Sequence, residues 1–418
     1  MLVTKDWSER MSPANTRVPM SELSRPLKLP DAPSPFVLID DARERDARRA
    51  KLYRDPVEVV EARSLAQVVP ALERLRQARE RGLHAAGYIG YDAGAALERR
   101  LERLDRPARE GDAPSLWFGL FRDVQEIAPE DVSDLFPAPV DVGGPLRPLI
   151  SQEDYGAAFA RVMDYIRAGD IYQANLTFPC EVPFSGDARA LYGMIRPRAA
   201  AGHGALVMTG THWLLSFSPE LFFTLDGQVL TARPMKGTAA RSDDGVQDAA
   251  HADALREDPK QRAENLMIVD LLRNDLSRVA EPGSVRVPHL FAIESYPTVH
   301  HMTSTVTAHL REGLDAIDAI RALFPCGSIT GAPKVRAMEI IDAVEARARG
   351  PYTGSIGTID PDGDAAFNVA IRTICVKDGD DHGILALGSG IVADSQADDE
   401  WQECLRKGQF LSGLRTER

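Results

Sequence analysis

Ser218-Pro219-Glu220-Leu221-Phe222-Phe223-Thr224-Leu225-Asp226-Gly227-Gln228-Val229-Leu230-Thr231-Ala232-Arg233-Pro234-Met235-Lys236-Gly237-Thr238 decides how this 418-residue chain is read. Two strand-like runs, 221–225 and 228–232, flank Asp226-Gly227. That dipeptide suits the positive backbone angles of a two-residue hairpin turn. Antiparallel pairing brings the outer ends of the two strands together. Glu220 and Lys236, sixteen positions apart, are therefore expected to converge. Lys236 is an unpaired amine in an otherwise apolar, turn-rich segment, so an acid and an amine would share one place.

Outward from this hairpin the order of elements is mixed. A second hairpin turn at Asp362-Gly363 leads into a strand expected over 366–376. A strand before the first hairpin alternates cleanly, with Ile171, Gln173, Asn175 and Thr177 on one face and Tyr172, Ala174, Leu176 and Phe178 on the other. A polar row of this kind is either a solvated face or a site, and solvation is the plainer expectation. The apolar run Phe36-Val37-Leu38-Ile39 reads as a buried strand. Helical spacing marks 65–81, and 152–168 with Tyr155, Phe159, Val162, Met163 and Ile166 on one face and Gly169 as its cap. Further helices are expected over 258–276, 334–349 and 396–412. Hairpins mixed with helices, without βαβ alternation, indicate an α+β fold with antiparallel sheets.

Composition narrows the class. Apolar residues make up 44% and charged residues 27%, as in soluble globular proteins. The net charge of −13 disfavours nucleic acid as a general partner. Cys180, Cys326, Cys375 and Cys404 form no CxxC and no zinc spacing, which fits buried thiols in a reducing cytoplasm. The N-terminus has no apolar signal core, and no run of 18 apolar residues exists, so no membrane span is expected. Residues 1–33 read as a loose leader, 34–145 as an N-terminal region and 150–415 as the main domain. The Pro-, Gly- and Asp-rich stretch 128–150 is the boundary. The small, glycine-rich segment 84–94 lacks GxGxxG, and close backbone packing explains it better than a dinucleotide.

Several constellations could carry chemistry. Asp258 and Pro259 open a helix, with Gln261 completing a capping box. Glu264 then shares a stripe with Ile268, Leu271 and Asp275. A carboxylate there needs a partner. Arg273 or Lys260 is one choice and a metal the other. In the last helix a capping box at Ser395 and Asp398 precedes Glu400, Glu403 and Lys407, which share a face. Such a face is commonly solvated, but the preceding Gly388-Ser389-Gly390 would let backbone amides approach an anion. Cys326-Gly327-Ser328-Ile329-Thr330-Gly331-Ala332-Pro333-Lys334 departs from a phosphate loop, although its amides could meet a carboxylate at a helix start. His300 and His301 would point to opposite faces of a strand, one into a core and one near a site. Arg372 on strand 366–376 suits bidentate carboxylate binding.

Taken in order, Asp170–Thr177, 218–220, 234–238, 264–275, 299–305, 324–334, 352–357, 366–372 and 388–407 resemble the chorismate-utilising enzyme family, with weaker matches at 35–43 and 87–94. Within it the chain is similar to the aminodeoxychorismate-forming branch. Relatives that hydroxylate the ring carry lysine where this chain has Gln173, and anthranilate-forming relatives carry alanine where it has Lys236. The resemblance implies two packed, mainly antiparallel sheets flanked by helices. It implies that chorismate and ammonia give 4-amino-4-deoxychorismate, for 4-aminobenzoate and folate synthesis. Lys236 would attack the ring and Glu220 would protonate the departing hydroxyl. Magnesium would bind Glu264 and Glu403, with Glu400 nearby. Gly237, Thr238, Ser328, Tyr352, Arg372, Gly388, Ser389, Gly390 and Lys407 would contact substrate, and His301 would lie close. Gln261 stands where some relatives have a second acid. Ammonia is expected from a separate glutamine amidotransferase subunit or from solution, since no such signature occurs in this sequence. The rivals are anthranilate synthase component I and a non-catalytic subunit that only binds chorismate or tryptophan.

Overall fold

The structure is a computed structural model that describes residues 28–413, except 107, 108, 110, 143 and 296–298. The leader expected over 1–33 therefore lies, up to residue 27, outside the described residues. Two ten-stranded sheets, paired antiparallel throughout, form the frame. The first runs Gly331–Ala332, Gln173–Pro183, His382–Ile391, Thr373–Lys377, His212–Ser218, His203–Met208, Phe36–Asp40, Ala50–Arg54 and Gln125–Ile127, with Arg147–Pro148 added beside Gln173–Pro183. The second runs Met235–Ala240, Val299–His309, Val229–Ala232, Leu221–Asp226, Ala365–Asn368, Ser355–Ile359, His84–Ile89, Leu116–Phe121 and Glu58–Ala62, with Arg286–Ser295 along Val299–His309. Both sheets thus interleave strands from distant parts of the chain. This is the expected α+β architecture of two antiparallel sheets flanked by helices.

Strand periodicity sorts the apolar residues between two cores. Val37, Ala205, Val207 and Leu214 of the first sheet meet Ala86, Tyr88, Trp117, Phe121 and Ile356 of the second. Their immediate neighbours Phe36, Leu38, Leu206, Ala85, Ile89, Leu116, Phe118 and Leu120 belong to the larger core that also takes in the helices. Each of these strands is buried on both faces, so its sequence is a continuous apolar run rather than an alternation. The glycine-rich segment packs backbone to backbone. A Cβ at Gly87 would fall 2.1 Å from the Trp117 carbonyl oxygen.

The helices Leu65–Glu80, Gln152–Arg167 and Pro259–Ser277 form where periodicity placed them. The helix expected over 334–349 stops at Val344, and Glu345 is already extended. The helix expected over 396–412 is Ala397–Lys407 followed by the 3-10 turn Gln409–Leu411. Its expected capping box does not form. Gln396 is the N-cap, and Ser395 Oγ instead donates to Glu400 Oε1 at 2.6 Å. Asp258 does cap its helix through the Lys260 and Gln261 amides, while Gln261 Oε1 lies against Gly237 rather than closing a box.

The strand expected over 366–376 is two strands in two sheets, Ala365–Asn368 and Thr373–Lys377. The chain crosses between them over 369–372. Its backbone groups find partners outside any ladder. Val369 N–H donates to Glu220 O at 3.0 Å, Thr353 N–H to Ala370 O at 2.9 Å, and Phe217 N–H to Arg372 O at 3.0 Å. Arg372 takes φ +49°, a left-handed angle that costs a non-glycine residue about 1 kcal/mol or more.

Among the described residues no helix is long and apolar enough to cross a membrane. The four cysteines are free thiols.

Candidate active site

The first hairpin forms with its turn one residue later than expected: Thr224 pairs with Thr231, Leu225 with Leu230 and Asp226 with Val229, so Gly227 and Gln228 make the turn and only Gly227 takes a positive φ, +55°. After Arg233-Pro234 the chain re-enters the sheet as Met235–Ala240 against Val299–His309. Met235 faces Thr303 and Thr238 faces His301, so three steps on one strand match two on the other. Lys236 and Gly237 occupy this bulge. Gly237 takes φ +92°, where a side chain would be strained. A bulge bends its strand and redirects the side chains it carries. Lys236 is half-buried and keeps some contact with solvent. Burial draws its ammonium below the ordinary lysine value. Glu264, Glu220 and Glu403 oppose that effect, and Lys407 adds to it.

Glu220 stands at the other outer end of the hairpin and is 5% exposed. Burial pushes its carboxyl up to about 7, against smaller lowering effects from Ser328, Lys236 and the Met235 backbone N–H. Ser328 Oγ donates to Glu220 Oε1 at 2.8 Å. Ser328 comes from the 3-10 turn Gly327–Ile329, next to the short strand Gly331–Ala332 that pairs with Gln173 and Ala174. The acid and the amine therefore do converge, and a loop from a hundred residues downstream closes on the acid.

The polar row on Gln173–Pro183 is not solvated. Gln173, Asn175 and Thr177 are all buried. Neither Gln173 Oε1 nor Nε2 has a hydrogen-bond partner among the described residues. Gln173 borders the cleft, since a Cβ added at Gly390 would lie 3.1 Å from Gln173 Nε2 and 3.4 Å from Lys236 Nζ.

Three acids approach from two helices. Burial raises the Glu264 carboxyl, Lys236 and Lys260 counter it, and Glu403 raises it further. Arg273 pairs with Asp270 at 2.8 Å and Lys260 with Asp394 at 2.9 Å. Neither expected ion-pair partner is therefore committed to Glu264. Burial also works to raise Glu403, but Lys407 at 2.7 Å, with Lys236 and Arg406, holds it below the ordinary value. Lys407 Nζ donates as well to Gly388 O at 2.9 Å. Glu400 is held by Ser395, and its charge acts on Lys260. Among the described residues no three His, Cys, Asp or Glu side chains gather as a ready metal cage. Glu264 and Glu403 fit a smaller demand. Two hard oxygen donors, one of them, Glu264, with no ion pair among the described residues, suit a cation that completes its shell with water and substrate.

The segments that carry Arg372 and Tyr352 are tied by backbone bonds of their neighbours. The 351–354 loop is tied to the crossing segment by Thr353 N–H to Ala370 O and Ala370 N–H to Gly354 O, both 2.9 Å. Burial lowers the Arg372 guanidinium, and among the described residues no carboxylate pairs with it. His301 lies near it. Burial, then Arg372, brings the His301 imidazole down to about 4, so it is neutral. His300 faces the other way, bonded to Ser295 at 2.8 Å and Asp248 at 3.0 Å. Thr238 is exposed at the bulge.

Gly388, Ser389 and Gly390 lie opposite Thr177, Leu176 and Asn175. The glycines share the Gln173 face. Ser389 does not, and its hydroxyl sits 3.5 Å from that of Tyr155 on the helix side. Only its backbone can serve the cleft. Glu345 and Arg349, which the helix expected over 334–349 would contain, lie beyond its end at Val344. The run Arg349-Gly350-Pro351 was the available signal, because glycine and proline end helices.

Residues 137–413 match the family model described as chorismate binding enzyme. Over 343 residues the chain is 41% identical to aminodeoxychorismate synthase component 1 of Klebsiella aerogenes, spanning 77% of this chain and 75% of that protein. It is 38% identical over 324 residues to anthranilate synthase component 1 of Streptomyces coelicolor, spanning 77% of this chain and 60% of that protein. The fold is similar to the crystal structure of anthranilate synthase component I from Streptococcus pneumoniae, with a TM-score of 0.73 at 24% identity, over 99% of this chain and 100% of that one.

Proposed function

The chain belongs to the chorismate-binding enzyme family, and from that membership we propose that it aminates chorismate, giving 4-amino-4-deoxychorismate for 4-aminobenzoate and folate synthesis. Lys236, its proton weakened by burial, attacks C2 of the ring as a neutral amine. Both ring double bonds shift, C1=C2 to C6=C1 and C5=C6 to C4=C5, and the C4 hydroxyl leaves as water, taking the proton of Glu220. Ammonia then adds at C4, both double bonds shift back, the Lys236 nitrogen is expelled from C2 as a neutral amine, and the new C4 ammonium returns a proton to Glu220. Arg372 and Tyr352 receive the enolpyruvyl carboxylate, and Ser328 orients Glu220. Glu264 and Glu403, with Glu400 behind them, would hold magnesium, which when bound would neutralise the ring carboxylate and polarise the ring. Ammonia comes from a separate glutamine amidotransferase subunit or from solution.

One observation carries this reading. A buried carboxyl poised near neutrality and a half-buried amine whose ammonium is weakened by desolvation sit at adjoining ends of one hairpin. A silent binding subunit needs neither group, and the hydroxylating relatives place their lysine at the position that Gln173 holds here. Anthranilate formation is the nearest rival, and Lys236 speaks against it. Purified protein with chorismate, magnesium and an ammonium salt, with and without an amidotransferase subunit, should give aminodeoxychorismate by chromatography. Strong anthranilate fluorescence from the same mixture would refute the assignment.

A further inference from the structure

Behind the cleft, Arg349 ties together three segments that carry site residues. Its guanidinium donates to Asn175 O at 2.5 Å, to Ile329 O at 3.1 Å and to Thr353 Oγ1 at 3.4 Å. Asn175 is two residues from Gln173, Ile329 follows Ser328, and Thr353 follows Tyr352. The remaining donors close on Glu345, with Nε to Oε2 at 2.9 Å and Nη2 to Oε1 at 2.7 Å. Glu345 Oε1 also accepts the Thr177 N–H at 2.9 Å. Arg349 is 8% exposed. Its position is fixed from the N-terminal region. Asp92 accepts the Gly350 N–H at 2.7 Å, the Tyr91 N–H donates to Gly350 O at 2.8 Å, and the guanidinium lies 4.4 Å over the Tyr91 ring.

We propose that Arg349 is a positioning residue that sets Ser328 against Glu220, and Gln173 and Tyr352 around the cleft, and so couples the Tyr91-Asp92 turn to the chemistry. The physical reason is its five donors in a rigid fork, which can join two backbone carbonyls and the Thr353 hydroxyl, from three separate segments, at once. Burial makes each of those bonds hard for water to replace. The proposal rests on the amination reading for its kinetic consequence, but its structural consequence at Glu220 does not depend on that reading. Glu220 faces Lys236, Ser328, Cys326 and the Met235 N–H. Of these, Ser328 is the group that Arg349 reaches, through Ile329. Arg349 itself faces Glu345, Tyr91, Tyr352 and Asp92.

Arg349→Met alone would strand the Glu345 charge and could unfold the protein. The test variant is therefore Arg349→Met combined with Glu345→Gln, which removes both charges and leaves an acceptor for the Thr177 N–H. Infrared titration follows the protonated carboxyl band that is absent in Glu220→Gln. In the double variant its midpoint should rise by about half a pH unit or more, because the Ser328 bond that favours the carboxylate is loosened. Turnover of chorismate with ammonium should fall about tenfold or more in kcat, with KM changed less than about threefold. Arg349→Lys should regain thermal stability but only part of the kcat. An unchanged Glu220 midpoint in a folded double variant overturns the proposal, whether or not the wild type turns chorismate over. A wild type inactive on chorismate overturns the amination reading instead.

Discussion

Replacing Glu220 by Gln keeps the side chain's shape and removes its ionisation. In the folded protein the Glu220 carboxyl is raised from the ordinary 4.5 to about 7, chiefly by burial. The folded state therefore keeps a proton that the unfolded chain releases. Wild-type stability contributed by this group is complete below about pH 4.5 and is lost as pH rises through about 7. The interval corresponds to a penalty of about 3 kcal/mol at pH 8. Glutamine carries no such penalty, and it can still accept from Ser328 and the Met235 N–H. Urea unfolding of wild type and Glu220→Gln should thus show the variant gaining about 2 kcal/mol relative to wild type between pH 5 and pH 8. Turnover should fall in the same variant by about 100-fold to 10,000-fold, the range for a lost general acid. The site would then hold a group that weakens the fold at working pH because the reaction needs it. A stability difference that is flat with pH, or a variant less stable at pH 8, would refute the placement of a near-neutral acid here.

The other expectations are shorter. Lys236→Ala with ammonium should lose aminodeoxychorismate formation by about 100-fold or more, whereas Gln173→Ala should keep most of it; product chromatography on both variants decides the covalent route, and equal activity of Lys236→Ala and wild type counts against it. Gly390→Ala places a methyl 3.1 Å from Gln173 Nε2 and 3.4 Å from Lys236 Nζ, so kcat should drop about tenfold while unfolding changes by less than about 1 kcal/mol; steady-state kinetics beside a denaturation curve tests this. Chelation by EDTA should abolish turnover, magnesium should restore it, and Glu403→Gln should raise the magnesium needed for half-activity by about tenfold or more. A Glu403→Gln enzyme with the wild-type magnesium titration would remove that residue from the metal site.

Local order was legible because it is written in neighbouring residues. Asp226-Gly227 and its flanking runs specify one hairpin whatever surrounds it, and the 3.6-residue spacing of Tyr155, Phe159, Val162 and Met163 specifies one helix face. Asp258 and Pro259 set a helix start through bonds no longer than a turn. The meeting of Glu220 with Lys236 followed from the same hairpin. Three other readings needed contacts that no short window contains. The segment 366–376 has strand alternation throughout, yet its backbone is claimed midway by Glu220, Gly354 and Phe217. Ser395 looks like a cap until Glu400 takes its hydroxyl. Arg349 looks like the end of a helix until Asn175, Ile329 and Thr353 are folded around it.

By itself, then, the amino-acid order determined the element types, the α+β class and the acid–amine pair, since periodicity, turn chemistry and caps act over a few residues. Tertiary structure alone decided that Gln173, Asn175 and Thr177 are buried rather than solvated, and that Arg372 sits at a strained crossing between sheets. It also decided which proton Glu220 keeps. Each of these depends on what lies across the cleft. Desolvation and long-range backbone pairing are set by atoms hundreds of positions away, and a side chain's own neighbours in sequence carry no record of them.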